Sequence, residues 1–173
     1  IAAIAGSLVV AIGILVQAFA NAGGDAHADP EHPTNWVVEK AVVLTKFGNG
    51  ELTLGMKVDG LAAVMFIVVC VVSLLVQIYS TSYMHGDKRY TFFFAILSMF
   101  TTGMLLVTIA DNLLLMLVGW EIMGVCSYFL IGHYWEERPN SNAAIKAFIT
   151  TRIGDVGFMF GIATLFWGAH SFK

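Results

Sequence analysis

Residues 1–20 and 61–79 contain no Asp, Glu, Lys or Arg, and nothing in the chain limits its fold more than these two uncharged runs. At about 1.5 Å of helical rise per residue, a run of some twenty residues spans about the 30 Å hydrocarbon core of a bilayer. No water is available in that core, so every backbone N–H and C=O must be satisfied within the segment, and a helix does this. Charged residues make up only 12% of the chain, against roughly 25% in soluble domains. The expected fold class is therefore an all-α polytopic membrane protein.

Three further apolar runs give five expected transmembrane helices: residues 1–20, 61–79, 91–110, 112–134 and 143–168. Residues 21–58 form an extramembrane loop that holds Pro30, Pro33, His27 and His32. Within it, WVVEKAVVL and ELTLGMKV flank an FGNG stretch, so β-branched runs meet an Asn-Gly turn signal and predict a short β-hairpin. The connection at Asp111-Asn112 is very short. The stretch HYWEERPNSN is expected to break the helix between the fourth and fifth spans, at Pro139 and the Asn and Ser residues around it. Lys88 and Arg89 in one short loop, with Arg138 and Lys146 bordering the other, place both loops on the cytoplasmic side. The chain opens on Ile1 inside an apolar run, which predicts a piece of a longer protein. A cleaved signal peptide fits less well, because no basic n-region is present.

Several sites read as ordinary. Cys70 and Cys126 lie in apolar runs and read as small buried hydrophobes. His27, Asp29, Glu31 and His32 match no tight metal-ligand spacing and read as a solvated acidic loop. Gly157 and Gly161 form a GxxxG, expected to serve packing inside the bundle. No phosphate loop, dinucleotide fingerprint or CxxC occurs, so no nucleotide, flavin, iron–sulfur cluster or metal is expected in this chain. No basic, aromatic-interleaved stretch suggests nucleic acid.

The exception is Glu121, alone near the middle of LLLMLVGWEIMGVCSYFLIG. A carboxylate at a bilayer centre costs about 2.5–3.5 kcal/mol on insertion scales. The cost is tolerable when the group is protonated, faces the bundle interior or has a partner, and burial makes a carboxyl hold its proton more tightly. A group poised in this way can take up and release protons, which a proton relay requires. On the fifth span Arg152 and Asp155 are i and i+3 and share a face. Counted from the HYWEERPNSN end, Glu121 and Asp155 lie at similar depths, about 17–18 Å. Gly124 leaves room one turn from Glu121. Ser98, Thr101 and Thr102 offer hydroxyls on the third span, and Lys146 stands at the mouth of the fifth. Arg152 with Asp155 also fits a structural ion pair that locks helix packing, and that reading stays open.

The stretches YSTSYMHGD, DNLLLMLVGWEIMGVCSYFLIGHYW and NSNAAIKAFITTRIGDVGFMFG, in this order, resemble the antiporter-like membrane subunit L of NADH:quinone oxidoreductase, respiratory complex I. Its mitochondrial counterpart is NADH dehydrogenase subunit five. The resemblance covers about residues 52–168. It implies that residues 59–173 are the four-helix part of an antiporter-like proton-channel domain. The family's GWE glutamate falls on Glu121, and the aspartate of its TRIGD motif falls on Asp155, preceded by Arg152. Proton translocation driven by quinone reduction elsewhere in the complex is implied, with Glu121, Asp155, Arg152 and Lys146 as relay residues. FMN, iron–sulfur clusters and quinone are implied in partner subunits, and the implied partners are the other membrane-arm subunits of complex I and the lipid bilayer. The implied location is the bacterial cytoplasmic membrane, and the only implied small substrate is the proton. The family's lysine partner of the glutamate has no counterpart in this stretch. The large subunit of multisubunit sodium/proton antiporters or membrane-bound hydrogenases is similar in the GWE region, although AAIKAFITTRIGD is more like the complex I subunit. A purely structural membrane subunit is the remaining alternative.

Overall fold

A computed structural model describes residues 1–22, 38–47 and 50–169. Five helices and one hairpin follow in order: α1 (Ala2–Ala22), β1 (Val38–Phe47), β2 (Gly50–Val58), α2 (Gly60–Tyr83), α3 (Tyr90–Ile109), α4 (Leu113–Ile131) and α5 (Arg138–Ala169). Among the described residues α2, α3, α4 and α5 are long and apolar enough to cross a membrane. The uncharged α1 adds a fifth helix of 21 residues. Residues 27–32, with the candidate ligands His27, Asp29, Glu31 and His32, lie outside the described residues.

The hairpin forms where the β-branched runs predict it. β1 and β2 pair antiparallel from Val38 with Val58 to Phe47 with Gly50, with an irregularity between Val43 and Thr45. It sits against the α3–α4 turn: Met56 bridges Ala110, and the Asp111 amide donates to the Gly55 carbonyl at 3.3 Å. Two side-chain caps start helices on this side. Asp59 Oδ1 accepts from the Ala62 amide at 2.7 Å, and Asn112 Oδ1 accepts from the Leu115 amide at 2.8 Å. Each satisfies an N–H that a helix start leaves free. The extended backbone at Asn112 lets α4 follow α3 almost at once.

Pro139 does not break a helix. α5 begins at Arg138, so Pro139 sits in its first turn, where the missing N–H would have no intrahelical partner anyway. The Glu137 carbonyl accepts from the Asn140 and Ser141 amides, both at 3.1 Å, and starts the helix five residues earlier than expected.

Each helix packs on its sequence neighbour, from α1 to α5. Ala11 of α1, Ala63 and Cys70 of α2, and Cys126 of α4 are wholly buried, and both cysteines are free. The outward faces remain apolar, as at Leu61, Ile153, Phe160 and Trp167, which suits lipid or further helices. α3 and α4 approach through glycine. A Cβ placed on Gly119 would lie 2.8 Å from Val107 Cγ2 and 2.9 Å from the Gly103 carbonyl oxygen. Gly157 and Gly161, expected to pack inside the bundle, have nothing within 4 Å of their would-be Cβ atoms. They lie on the open side of α5, so the close helix packing falls to Gly103 and Gly119 instead.

On the opposite side from the hairpin, the 84–89 and 132–137 loops lock together. Arg89 Nη2 donates to Glu136 Oε2 at 2.8 Å, and its guanidinium lies 4.0 Å from the Trp135 ring centroid. His133, 4% exposed, places Nε2 3.5 Å from Asp87 Oδ2. The Arg89 amide donates to Asp87 Oδ1 at 2.6 Å. That bond, with the Tyr134 hydroxyl and His133, holds the Asp87 carboxyl below the usual carboxylate range. The Arg89 side chain does the same for Glu136.

Two outcomes are expected. Gly119→Ala overpacks the α3–α4 contact at a cost of about 1–3 kcal/mol, read as a lower thermal midpoint in detergent, while Gly157→Ala, which meets open space, does not lower it. A carboxyl held low in the folded state stabilises above its unfolded pKa and loses that contribution as pH falls through the folded one. The thermal midpoint is therefore expected to drop on acidification from about pH 5 to pH 3, with a shallower drop in Asp87→Asn.

Candidate functional site

Three charged residues within the spans, Glu121, Arg152 and Asp155, converge on the α4–α5 contact. α4 carries Glu121 on a helix without another charge, and α5 brings Arg152 opposite it. Arg152 Nη1 is ion-paired with Glu121 Oε2 and lies 3.5 Å from Asp155 Oδ2. Arg152 Nη2 also reaches the Glu121 carbonyl oxygen at 3.4 Å. One guanidinium is thus shared by two carboxylates, one from each helix. A fork of five N–H donors suits Arg to this role better than the single ammonium of Lys.

Gly124 makes the arrangement possible. A Cβ there would lie 2.8 Å from Arg152 Nη2, so the missing side chain is the space that the guanidinium occupies. The room that the sequence suggested beside Glu121 is filled by an arginine. Phe148, one turn before Arg152, supports the guanidinium with its ring, 4.7 Å from centroid to Cζ.

Burial differs between the two acids. The Asp155 side chain keeps only 10% of its surface exposed, whereas that of Glu121 keeps 32% and that of Arg152 26%. The described helices therefore enclose Asp155 and leave one side of Glu121 open. Asp155 has a second partner that the sequence reading missed: Trp120 Nε1 donates to its Oδ1 at 2.9 Å. A tryptophan beside a buried carboxyl carries a donor-only N–H that needs an acceptor in an apolar setting, and that was the available signal. Trp120, Asp155 and Phe158 also border a cleft of about 610 Å³ with Val107, Met116 and Thr150.

The remaining predicted residues lie elsewhere. Thr101 Oγ1 and Ser73 Oγ are 2.6 Å apart, and Gln77 Nε2 donates to Ser98 Oγ at 3.2 Å. These hydroxyls tie α3 to α2 instead of lining Glu121. Thr102 is exposed and bonds back to the Ser98 carbonyl. Lys146 is exposed near the start of α5 and makes no side-chain ion pair among the described residues. No group of three or more His, Cys, Asp or Glu that could hold a metal occurs among them either.

Residues 44–94 match the family described as NADH-ubiquinone oxidoreductase (complex I), chain 5 N-terminus, and residues 110–173 match NADH:quinone oxidoreductase/Mrp antiporter, transmembrane. The chain belongs to the antiporter-like chain 5 family of complex I. NAD(P)H-quinone oxidoreductase subunit 5 of the Paulinella chromatophora chromatophore is 46% identical over 125 residues, 72% of this chain and 19% of that protein. The chloroplast subunit 5 of Nephroselmis olivacea is 44% identical over 142 residues, 82% of this chain and 21% of its own. Chain 5 of Synechocystis is 42% identical over 125 residues, 72% of this chain and 18% of its own. The chain thus spans about a fifth of the length of these relatives. A chain of the Mrp complex from Dietzia shares the fold, with a TM-score of 0.64 at 21% identity, over 98% of this chain and 20% of that one.

The contact at Gly124 gives a direct test. Gly124→Ala is expected to displace the guanidinium and cost about 1–3 kcal/mol, measured as a thermal midpoint. The same change should cost less in an Arg152→Met background, where the clash is gone. A cost that is equal in both backgrounds would place the effect of Gly124 elsewhere.

Proposed function

We propose that this chain is part of a proton-translocating membrane-arm subunit of a quinone oxidoreductase of the complex I type. The observation that carries the reading is the arginine shared between a half-open Glu121 and an enclosed Asp155 at the middle of two membrane-spanning helices. The family membership supports it independently.

Glu121 is the group that changes protonation. Ionised, it is held by Arg152; protonated, it no longer attracts the guanidinium, which then turns toward Asp155. The two carboxylates thereby offer one cation two resting places, and the proton on Glu121 decides between them. Glu121 is open on one side, where a proton can arrive from a further group, and Asp155 is the fixed counter-ion. Lys146, nine residues before Asp155 on α5, conducts protons between the interior and the aqueous side carrying the 84–89 and 132–137 loops. That side is the cytoplasm, in a bacterial cytoplasmic membrane. Partner subunits hold FMN, the iron–sulfur clusters and the quinone site, and this chain performs no redox step. Neighbouring membrane-arm subunits and lipid cover the apolar outer faces.

The test is Glu121→Gln in the whole complex. Arg152 keeps Asp155 as its partner in this variant, so assembly is retained. Proton pumping coupled to NADH oxidation, measured in membrane vesicles, should fall by on the order of tenfold. Normal pumping would leave a structural ion pair as the role of the site.

A further inference from the structure

We infer that Trp120 is a positioning residue that fixes which of the two carboxylates carries the exchangeable proton: its indole N–H holds Asp155 as an acceptor and so leaves the proton to Glu121. The inference rests on the proton-translocation reading above and names a residue that this reading does not use.

Asp155 and Glu121 face the same cation, and from charge alone either could take the proton. The surroundings of their remaining oxygens differ. Asp155 Oδ2 faces Arg152 at 3.5 Å, and Oδ1 accepts from Trp120 Nε1 at 2.9 Å. Glu121 Oε2 is paired with Arg152, and no side-chain hydrogen bond among the described residues engages Oε1. A donor-only N–H can bond an ionised carboxylate oxygen or a carbonyl oxygen but cannot accept a proton from a carboxylic acid. Hydrogen bonds donated to a carboxylate favour its charged form. Both Asp155 oxygens therefore face a donor, whereas Glu121 Oε1, on the more open side of the pair, faces none among the described residues.

Trp120 is itself placed by its neighbours. It directly precedes Glu121 on α4, so the same helix carries both groups, and its ring lies 6.3 Å from the Phe158 ring on α5. Among the described residues the charged groups facing Asp155 are Arg152 on its own helix and Glu121 across the α4–α5 contact. On α3, Val107 borders the same cleft.

The test uses the assembled complex and reads protonated carboxylic acid by infrared difference spectroscopy, together with the pH profile of pumping. Wild type should show a carbonyl band that Glu121→Gln removes. Trp120→Phe keeps an aromatic ring against Phe158 but removes the donor. It should give a second protonated band, abolished by adding Asp155→Asn, and a shift of the pumping profile of about one pH unit. In an Asp155→Asn background, Trp120→Phe should cause no further shift. Trp120→Leu, which also removes the donor and should likewise give the second band, carries the test if Trp120→Phe fails to assemble, and Trp120→His, which keeps a ring N–H, should restore the single band. A Trp120→Phe complex with one band and an unchanged profile, while Glu121→Gln still abolishes pumping, would overturn the role of Trp120 alone. A wild-type band that survives Glu121→Gln would overturn the proton-path reading together with this one.

Discussion

A single guanidinium between two carboxylates holds the middle of this membrane domain together. Arg152 would be intolerable alone in the hydrocarbon layer, and so would either Glu121 or Asp155. Placed together, they leave a net charge of one, spread over three side chains from two helices. Removing the guanidinium would strand both carboxylates, with losses of several kcal/mol in buried pairs. Every local choice around the site serves this contact. Gly124 supplies the space, Phe148 the ring beneath the cation, and Trp120 the donor to the second oxygen of Asp155.

The contact works only if α4 and α5 keep their depth in the membrane relative to each other, and two constraints outside the site impose this. At one end, Asn112 caps α4 directly after α3, and the α3–α4 glycine contact seats the pair closely. At the other end, the 84–89 loop is fastened to the 132–137 loop through Arg89–Glu136 and His133–Asp87. Both fastenings lie in loops outside the spans, where an ion pair such as Arg89–Glu136 costs less than in the hydrocarbon layer. Inside, the α2–α3 seam uses uncharged hydrogen bonds, Ser73 with Thr101 and Gln77 with Ser98, which suit a medium where charge is costly.

Much of the site was legible because charges are rare in such a sequence. With few charged residues inside apolar runs, Glu121, Arg152 and Asp155 stand out, and the rise per residue sets them at one depth. Hydroxyls are more ambiguous. Ser98, Thr101 and Thr102 cover more than one side of α3, and nothing in their spacing says which neighbour α3 turns them toward. The glycines misled for the same reason. Gly157 and Gly161 have the spacing of a packing motif, yet their side of α5 is open, while Gly103 and Gly119 meet across different helices without a motif. Pro139 reads as a breaker in any linear scan, but its effect depends on whether it falls before or after the helix start.

The sequence by itself determined the membrane class, the five helices, the hairpin and the depth of each charge, because all of these follow from length, hydropathy and helical rise along one segment. Tertiary structure alone decided which side chains meet. It paired Arg152 with Glu121 as well as Asp155, filled the gap at Gly124 with a guanidinium, turned the α3 hydroxyls to α2 and brought Trp120 to Asp155. Those outcomes depend on the rotation of each helix about its axis. In a bundle whose outward faces are as apolar as its seams, hydrophobic pattern does not set that rotation. Close glycine contacts, caps and the few polar pairs set it instead.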